Sequence, residues 1–280
     1  MIRKKIFGIV SALILSISVI IVGCDSTTTA TNGSDTMGNM GTLKVKMHDA
    51  PANYDSVNVS IKSVEVKDTS TDTGWVKINS PQKTFNLLEL TNGASAVLGS
   101  KELPAGTYEQ IRLILNKDGN SVVVDGTKHN LFIPSGAQTG IKLNINAEIK
   151  PDITYTLLLD FDAARSIVET GNQHSQHASR YLLKPVIRAT NQAETGNISG
   201  AIKPVDAKPF IYAISDSDTL SSTKADTTDG SFKLVGLKEG NYTVSVEPAD
   251  TTAYQTKDTT GVAVTIGETN DIGTLTLSQK

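Results

Sequence analysis

"DGSFKLVGLKEGNYTVSV", residues 229–246, decides how the chain is read. Phe232 and Leu234, then Tyr242, Val244 and Val246, are apolar at alternate positions, the period of a strand with one buried face. Between the two runs, Gly240 permits a positive φ at a corner. Tyr242 can fold back so that its hydroxyl bonds backbone a few residues upstream, the tyrosine-corner device of Greek-key sandwiches. The same phrase occurs earlier, where "LPAGTY" sets Leu103, Gly106 and Tyr108 at the spacing of Leu237, Gly240 and Tyr242. Two occurrences of one corner predict two sandwiches of related construction, with both tyrosines structural.

Outward from the second corner, the alternating apolar sets are Ile198 and Ile202; Phe210, Tyr212 and Ile214; Val262, Val264 and Ile266; Leu275 and Leu277. Short runs separated by turns predict a small sandwich over residues 196–280. Around the first corner lie Leu43, Val45 and Met47; Val57, Val59 and Ile61; Ile111, Leu113 and Leu115; Ile141, Leu143 and Ile145; and Ile153 to Phe161. Val64 and Val66 follow Ile61 one residue out of phase, which predicts a bulge within one long strand. Helical periodicity is weak and confined to Leu87–Val97 and Ala163–Val168. The class is all-β: two antiparallel β-sandwich domains in tandem, residues 41–190 and 196–280, the first closed by "LLKPVIRA" and joined to the second through the polar "TNQAETGN".

The single cysteine, Cys24, cannot form an intramolecular disulfide. Before it, Arg3, Lys4 and Lys5 precede a 17-residue apolar run, Ile6 to Val22, the layout of a secretory signal or of a short uncleaved anchor. The junction Ile21-Val22-Gly23-Cys24 resembles the bacterial lipobox, in which the thiol is alkylated with diacylglycerol and the chain is cut before it. That resemblance implies a signal peptide at 1–23, lipidation at Cys24, and a cell-envelope protein anchored to the membrane through its N-terminal lipid. The other reading of Cys24 is a small apolar residue ending a signal helix. Asp25 resembles the inner-membrane retention signal of enteric bacteria, while inner versus outer membrane stays open, as does surface exposure. Residues 24–40 are Ser, Thr, Gly, Asn and Asp with little that is apolar, a flexible tether.

Residues 229–246 resemble the signature of the carboxypeptidase regulatory-like domain, a prealbumin-like sandwich with a carbohydrate-binding-like fold, found as an accessory module in bacterial surface proteins. Gly196 and Gly200 in "GNISGAI" supply the glycines that flank its first strand. Residues 41 to about 190 resemble a bacterial domain of unknown function, the family numbered 4382, seen in secreted lipoproteins. "MHDAPANYDSVNVSIKSVEV", "LPAGTYEQIRLIL" and "YLLKPVIRA" carry the likeness; His48 stands where that family more often has Thr. The resemblance implies architecture and location and no activity.

The whole chain has a formal charge of −3, and loss of Arg3, Lys4 and Lys5 with residues 1–23 takes it to −6 over 257 residues. With no basic run, nucleic acid is not expected as a partner. His174 and His177 have an H-x-x-H spacing that could place two imidazoles on one metal, with Asp160, Asp162 or Glu169 as a third ligand, against the simpler reading of a solvated loop. Asp160 and Asp162 face one side of a strand end, either to hold calcium or to terminate the strand by accepting turn hydrogen bonds. Asp49, before Pro51, reads as a turn former. Without a G-x-S-x-G elbow, and with the thiol assigned to lipid, no catalytic residue, metal or cofactor is assigned, and the chain is read as a non-enzyme.

What remains is a binding or adhesion module for an envelope polymer, glycan or protein. The alternative is a structural spacer or assembly component without ligand, with a carbohydrate-active enzyme a distant third. The chain is 5% aromatic with one Trp. Trp75 is expected in the core, because Val76 and Ile78 suit a strand; exposure beside other aromatics would favour a glycan.

Overall fold

A computed structural model describes residues 39–68, 74–134, 139–170 and 181–280; Cys24, Asp25, His174 and His177 lie outside them. The described residues fall in one compact unit, Thr36–Lys280. Among them strand is the dominant element, with only short helical turns besides, and strands are numbered in chain order.

The first sandwich packs a four-stranded sheet on a nine-stranded one. The smaller sheet runs β13 (Ile187–Asn191), β10 (Thr154–Asp162), β1 (Met40–Ala50), β5 (Ala96–Pro104). The larger runs β11 (Ile167–Glu169), β12 (Tyr181–Leu183), β8 (Thr127–Phe132), β7 (Ser121–Val124), β2 (Ser56–Lys67), β6 (Gly106–Leu115), β9 (Ile141–Ile149). Two short strands, β3 (Trp75–Asn79) and β4 (Lys83–Asn86), also pair with β2. Leu43, Val45 and Met47 of β1 and Leu157, Leu159 and Phe161 of β10 are buried against Val57, Val59, Val64 and Val66 of β2. Such side chains contribute roughly 1.5–3 kcal/mol each on burial, which makes this face the source of the fold's stability. The register against β6 shifts between Ile61 and Ser63, so one bulge keeps the apolar face inward on both sides of it.

The second sandwich pairs a three-stranded sheet, β17 (Ser231–Lys238), β14 (Thr195–Lys203), β20 (Thr269–Thr276), with a four-stranded one, β16 (Asp218–Lys224), β15 (Phe210–Ser215), β18 (Gly240–Glu247), β19 (Lys257–Val264). Ile198, Ile202, Ile211, Phe232, Leu234 and Val244 fill its core.

One construction is built twice. In each sandwich the first strand lies between a parallel neighbour (β10, β20) and the antiparallel strand that leads into the corner (β5, β17). Gly41 pairs with Leu103 and Gly196 with Leu237. A Cβ on either glycine would meet a carbonyl oxygen at 2.1 Å, that of Lys150 or of Thr265. Thr42 N–H donates to Ile153 O at 2.9 Å, and Asn197 N–H to Glu268 O at 2.9 Å. Both corners have a glycine at the turn, Gly106 with φ 154° and Gly240 with φ 155°. Tyr108 Oη donates to Pro104 O at 3.0 Å and Tyr242 Oη to Lys238 O at 2.9 Å, each reaching back four residues. The related construction expected from the two corners therefore extends to the first strand and to the turn that leads into its parallel neighbour, β9 to β10 in one sandwich and β19 to β20 in the other.

Several local expectations change. The sheets are mainly antiparallel, but β1–β10, β8–β12 and β14–β20 run parallel, pairings between segments too distant in sequence for local pattern to specify. "LLKPVIRA" is not one strand: β12 and β13 belong to different sheets, and Pro185, which has no N–H for a ladder, lies at the crossover. The polar stretch read as a linker is ordered as the end of β13, a 3-10 turn over Gln192–Glu194 capped by Asn191, and the start of β14. The helical candidates shrink to a 3-10 turn, Leu87–Leu90, capped by Asn86, and one helical turn, Ala163–Ser166, capped by Asp162.

Candidate functional site

The two sandwiches meet on the outer face of the β13-β10-β1-β5 sheet. His48, Asp160 and Arg188 occupy one row across β1, β10 and β13 and point away from the first core. Leu158, on the same face, is 5% exposed and absent from that core, and Gly236 of β17 approaches it. Arg188 donates to Asp160 Oδ2 at 2.5 Å, and His48 Nε2 lies 3.5 Å from Asp160 Oδ1. Burial depresses the pKa of His48 and outweighs the pull of Asp160, while Arg188 depresses it further, so the imidazole is held neutral. In the second sandwich the position equivalent to His48, six residues beyond Asn197, is Lys203, paired with Thr276. The charged row thus belongs to the first copy alone, at the face that receives the second.

Asp49 points the other way, inward. It is not a turn former: it sits in β1, and its Oδ1 accepts the Ala163 N–H at 3.0 Å from 114 residues away. Its Oδ2 has no hydrogen-bond partner among the described residues, and burial pushes its carboxyl well above the ordinary range, with Asp160 and Asp162 adding to the rise. Asp160 and Asp162 do face one side, as alternate residues must. One is spent on Arg188 and the other caps Ala163–Ser166 by accepting the Arg165 N–H at 2.9 Å. Among the described residues no group of three or more His, Cys, Asp or Glu is placed to hold a metal ion.

A loop of the first sandwich locks the second. Asn92, at φ 55°, follows the 3-10 turn and reaches the free edge of β17: its Nδ2 donates to Ser231 O at 3.3 Å and its Oδ1 accepts the Lys233 N–H at 2.6 Å. Its own N–H donates to Thr223 Oγ1 at 3.0 Å. Ser221 of β16 donates to Val235 O at 3.0 Å, so the outward backbone groups at 231, 233 and 235 along one edge are all engaged by side chains.

Beside this junction opens a cleft of about 470 Å³, within the range of ligand pockets (roughly 300–1,000 Å³). One wall is Pro51–Asn53 with Asp162 and Arg165; the other carries Phe210, Tyr212 and Glu247. A smaller recess of about 140 Å³ shares Asp162, Arg165, Thr219 and Ser222 with it and reaches the Asp160–Arg188 pair. Here the sequence-level phase of β15 is corrected. Ile211 and Ala213 are the buried residues of that strand, whereas Phe210, Tyr212 and Ile214 are half-buried on its outer face. The larger side chains suggested the opposite phase, and small Ala213 gave no signal against it. Burial raises the pKa of the Tyr212 phenol, and the neighbouring Glu247 carboxylate raises it further. Lys224 Nζ stands 5.1 Å from the Phe210 ring centroid.

Trp75 is not in the core. It is half-buried at the start of β3, and Arg112 stacks over its ring with the guanidinium carbon 4.3 Å from the centroid. Glu65 holds Arg112 in place, accepting from its Nε at 2.8 Å. The pair Phe210 and Tyr212, which sequence periodicity counted as interior, is the aromatic surface that the junction leaves open.

Residues 40–185, just over half of the chain, match the family described as "Domain of unknown function (DUF4382)". No curated protein matches the chain. Among solved structures, similarity is found to a type II cohesin–X-dockerin complex of Acetivibrio cellulolyticus, at 20% identity over 30% of this chain and 58% of that one, with a TM-score of 0.24. A minor pilin of Streptococcus agalactiae matches at 12% identity over 85% of this chain and 96% of that one, with a TM-score of 0.23. The TIE protein of Bacillus anthracis matches at 14% identity over 86% of this chain and 34% of that one, also with a TM-score of 0.23. At these scores none of the three bears on fold or function.

Proposed function

The chain belongs to the DUF4382 family through residues 40–185, and we infer that this domain and the second sandwich together form a non-enzymatic binding module of the cell envelope. The observation that carries the reading is the cleft: both sandwiches supply its walls, and outward aromatic residues, an uncommon use of Phe and Tyr in a chain only 5% aromatic, line one of them. The Asn92 lock fixes the relative placement of those walls, so a ligand meets a site that is already formed.

Lipidation at Cys24 would tether this module to a membrane through the polar stretch that precedes β1. β1 starts where that tether ends, and eleven residues at about 3.3 Å each carry the chain roughly 35 Å before Pro51 enters the cleft. A Cys24→Ser variant is expected to leave the membrane fraction and to lose any acyl adduct by intact-mass measurement; fractionation like the parent would overturn the anchor.

The binding reading is tested with the full chain as bait in envelope extracts, beside a Ser222→Trp variant that fills the cleft from its wall. An envelope component retained by the parent and lost from the variant is the expected result. Equal retention by both would place binding elsewhere. The spacer reading draws on the same interdomain lock, which makes the pair of sandwiches stiff, and it gains if the parent retains nothing.

A further inference from the structure

We propose that the cleft takes a neutral carbohydrate, a hexopyranose or short oligosaccharide, with Phe210 and Tyr212 as the stacking platform and Glu247, Asp162, Arg165 and Asn53 as hydroxyl partners. The inference rests on the binding reading above and names its ligand class.

A pyranose offers an apolar C–H face and a rim of hydroxyls. Its complement is an aromatic surface bordered by planar side chains that accept or donate two hydrogen bonds at once. Phe210 and Tyr212 are alternate residues of one strand, so their side chains stand on one face about 7 Å apart along it. Across that face the pairs are Phe210 with Lys224 and Glu247, and Tyr212 with Ser222 and Ser245. Each ring is thus flanked by polar groups on both neighbouring strands. Opposite them, Asn53 and Arg165 are exposed, and Asp162 keeps one oxygen, Oδ2, 3.9 Å from Arg165 Nε and uses the other for its cap.

Three features turn the choice away from other ligands. Around the platform two carboxylates, Asp162 and Glu247, are balanced by two cations, Arg165 and the Lys224 beside Phe210, which leaves no excess charge to draw a charged polymer. β15 is an interior strand, paired with β16 and β18 on its two sides, so this wall has no free ladder groups with which to bind an extended peptide. The polar rim is ill suited to a lipid chain. Trp75, which the sequence places in the core, is half-buried and does not line this cleft.

The test is calorimetric titration of the full chain with five soluble probes: maltohexaose, cellohexaose, xylohexaose, mannohexaose and chitohexaose. At least one is expected to bind, with Tyr212→Ala weakening the association constant more than tenfold and Phe210→Ala and Glu247→Gln weakening it severalfold. Trp75→Ala is expected to bind like the parent. Glu247→Gln keeps a hydrogen-bonding amide at an exposed position, so loss of binding there cannot be put down to unfolding, which circular dichroism checks for every variant. Absence of binding by all five sugars overturns the proposal, as does binding that survives Tyr212→Ala but not Trp75→Ala. Retention of an envelope component that Ser222→Trp abolishes, with none of the five sugars bound, would overturn the sugar assignment and leave the binding module standing.

Discussion

Replacing Asn92 should uncouple the two sandwiches while leaving each intact. In Asn92→Gly the backbone keeps its left-handed φ of 55° and its N–H bond to Thr223, but the side-chain bonds to Ser231 O and Lys233 N–H disappear. Ser231 O still accepts from Asp226, so the principal orphan is the Lys233 N–H at the β17 edge. Two lost hydrogen bonds at about 0.5–1.5 kcal/mol each give roughly 1–3 kcal/mol. Asn92→Ala loses the same bonds and must also hold a Cβ in the left-handed region, which adds about 1 kcal/mol. Scanning calorimetry on parent and variants is the assay. The parent should melt in one cooperative transition; Asn92→Ala should destabilise more than Asn92→Gly and separate the transition of the second sandwich from that of the first. A single transition for both variants, within about 0.5 kcal/mol of the parent as for an ordinary surface substitution, would refute the lock.

Removing the corner hydroxyls by Tyr108→Phe or Tyr242→Phe should each cost about 0.5–1.5 kcal/mol in urea unfolding, and similarly, because both corners make the same bond. Gly41→Ala and Gly196→Ala should each destabilise by roughly 1–3 kcal/mol, since the added Cβ meets a backbone carbonyl that cannot rotate away; unchanged urea midpoints would contradict the shared construction. Asp49 has a folded pKa raised above its unfolded value, so its contribution to stability is complete below about pH 4 and is lost as pH rises through the folded pKa. An amide in its place would keep the Oδ1 bond to Ala163 without ionising, so Asp49→Asn should gain on the parent as the pH rises above about 4 in urea unfolding, and a flat difference would contradict it. His48 works in the opposite sense: its folded pKa is depressed, so the stability it contributes is present above about pH 6.5 and lost as pH falls below that.

How much of this was legible in the sequence depends on whether the determining contact is local. Alternation placed Leu43, Val45 and Met47 in the core, the slip from Ile61 to Val64 marked the bulge, and the two glycine-tyrosine phrases marked both corners, because each signal lies within a dozen residues. The site was less legible. Asp160 and Asp162 were visible as a same-facing pair, but Arg188, which engages Asp160, is 28 residues on. Asn92 carries only a turn signal, and its partners at 231 and 233 are about 140 residues away. Phe210 and Tyr212 misled because hydrophobicity alone cannot say which face of β15 is inward when the buried residue opposite is a small alanine.

The cleft as the working surface is tested most directly by placing a photoreactive phenylalanine at position 212, and separately at Lys142 on β9 of the first sandwich, and illuminating each full-length protein in envelope extract. Mass spectrometry should find an adduct at 212 that is absent at 142. Adducts of equal yield at both positions, or none at 212, would contradict the account.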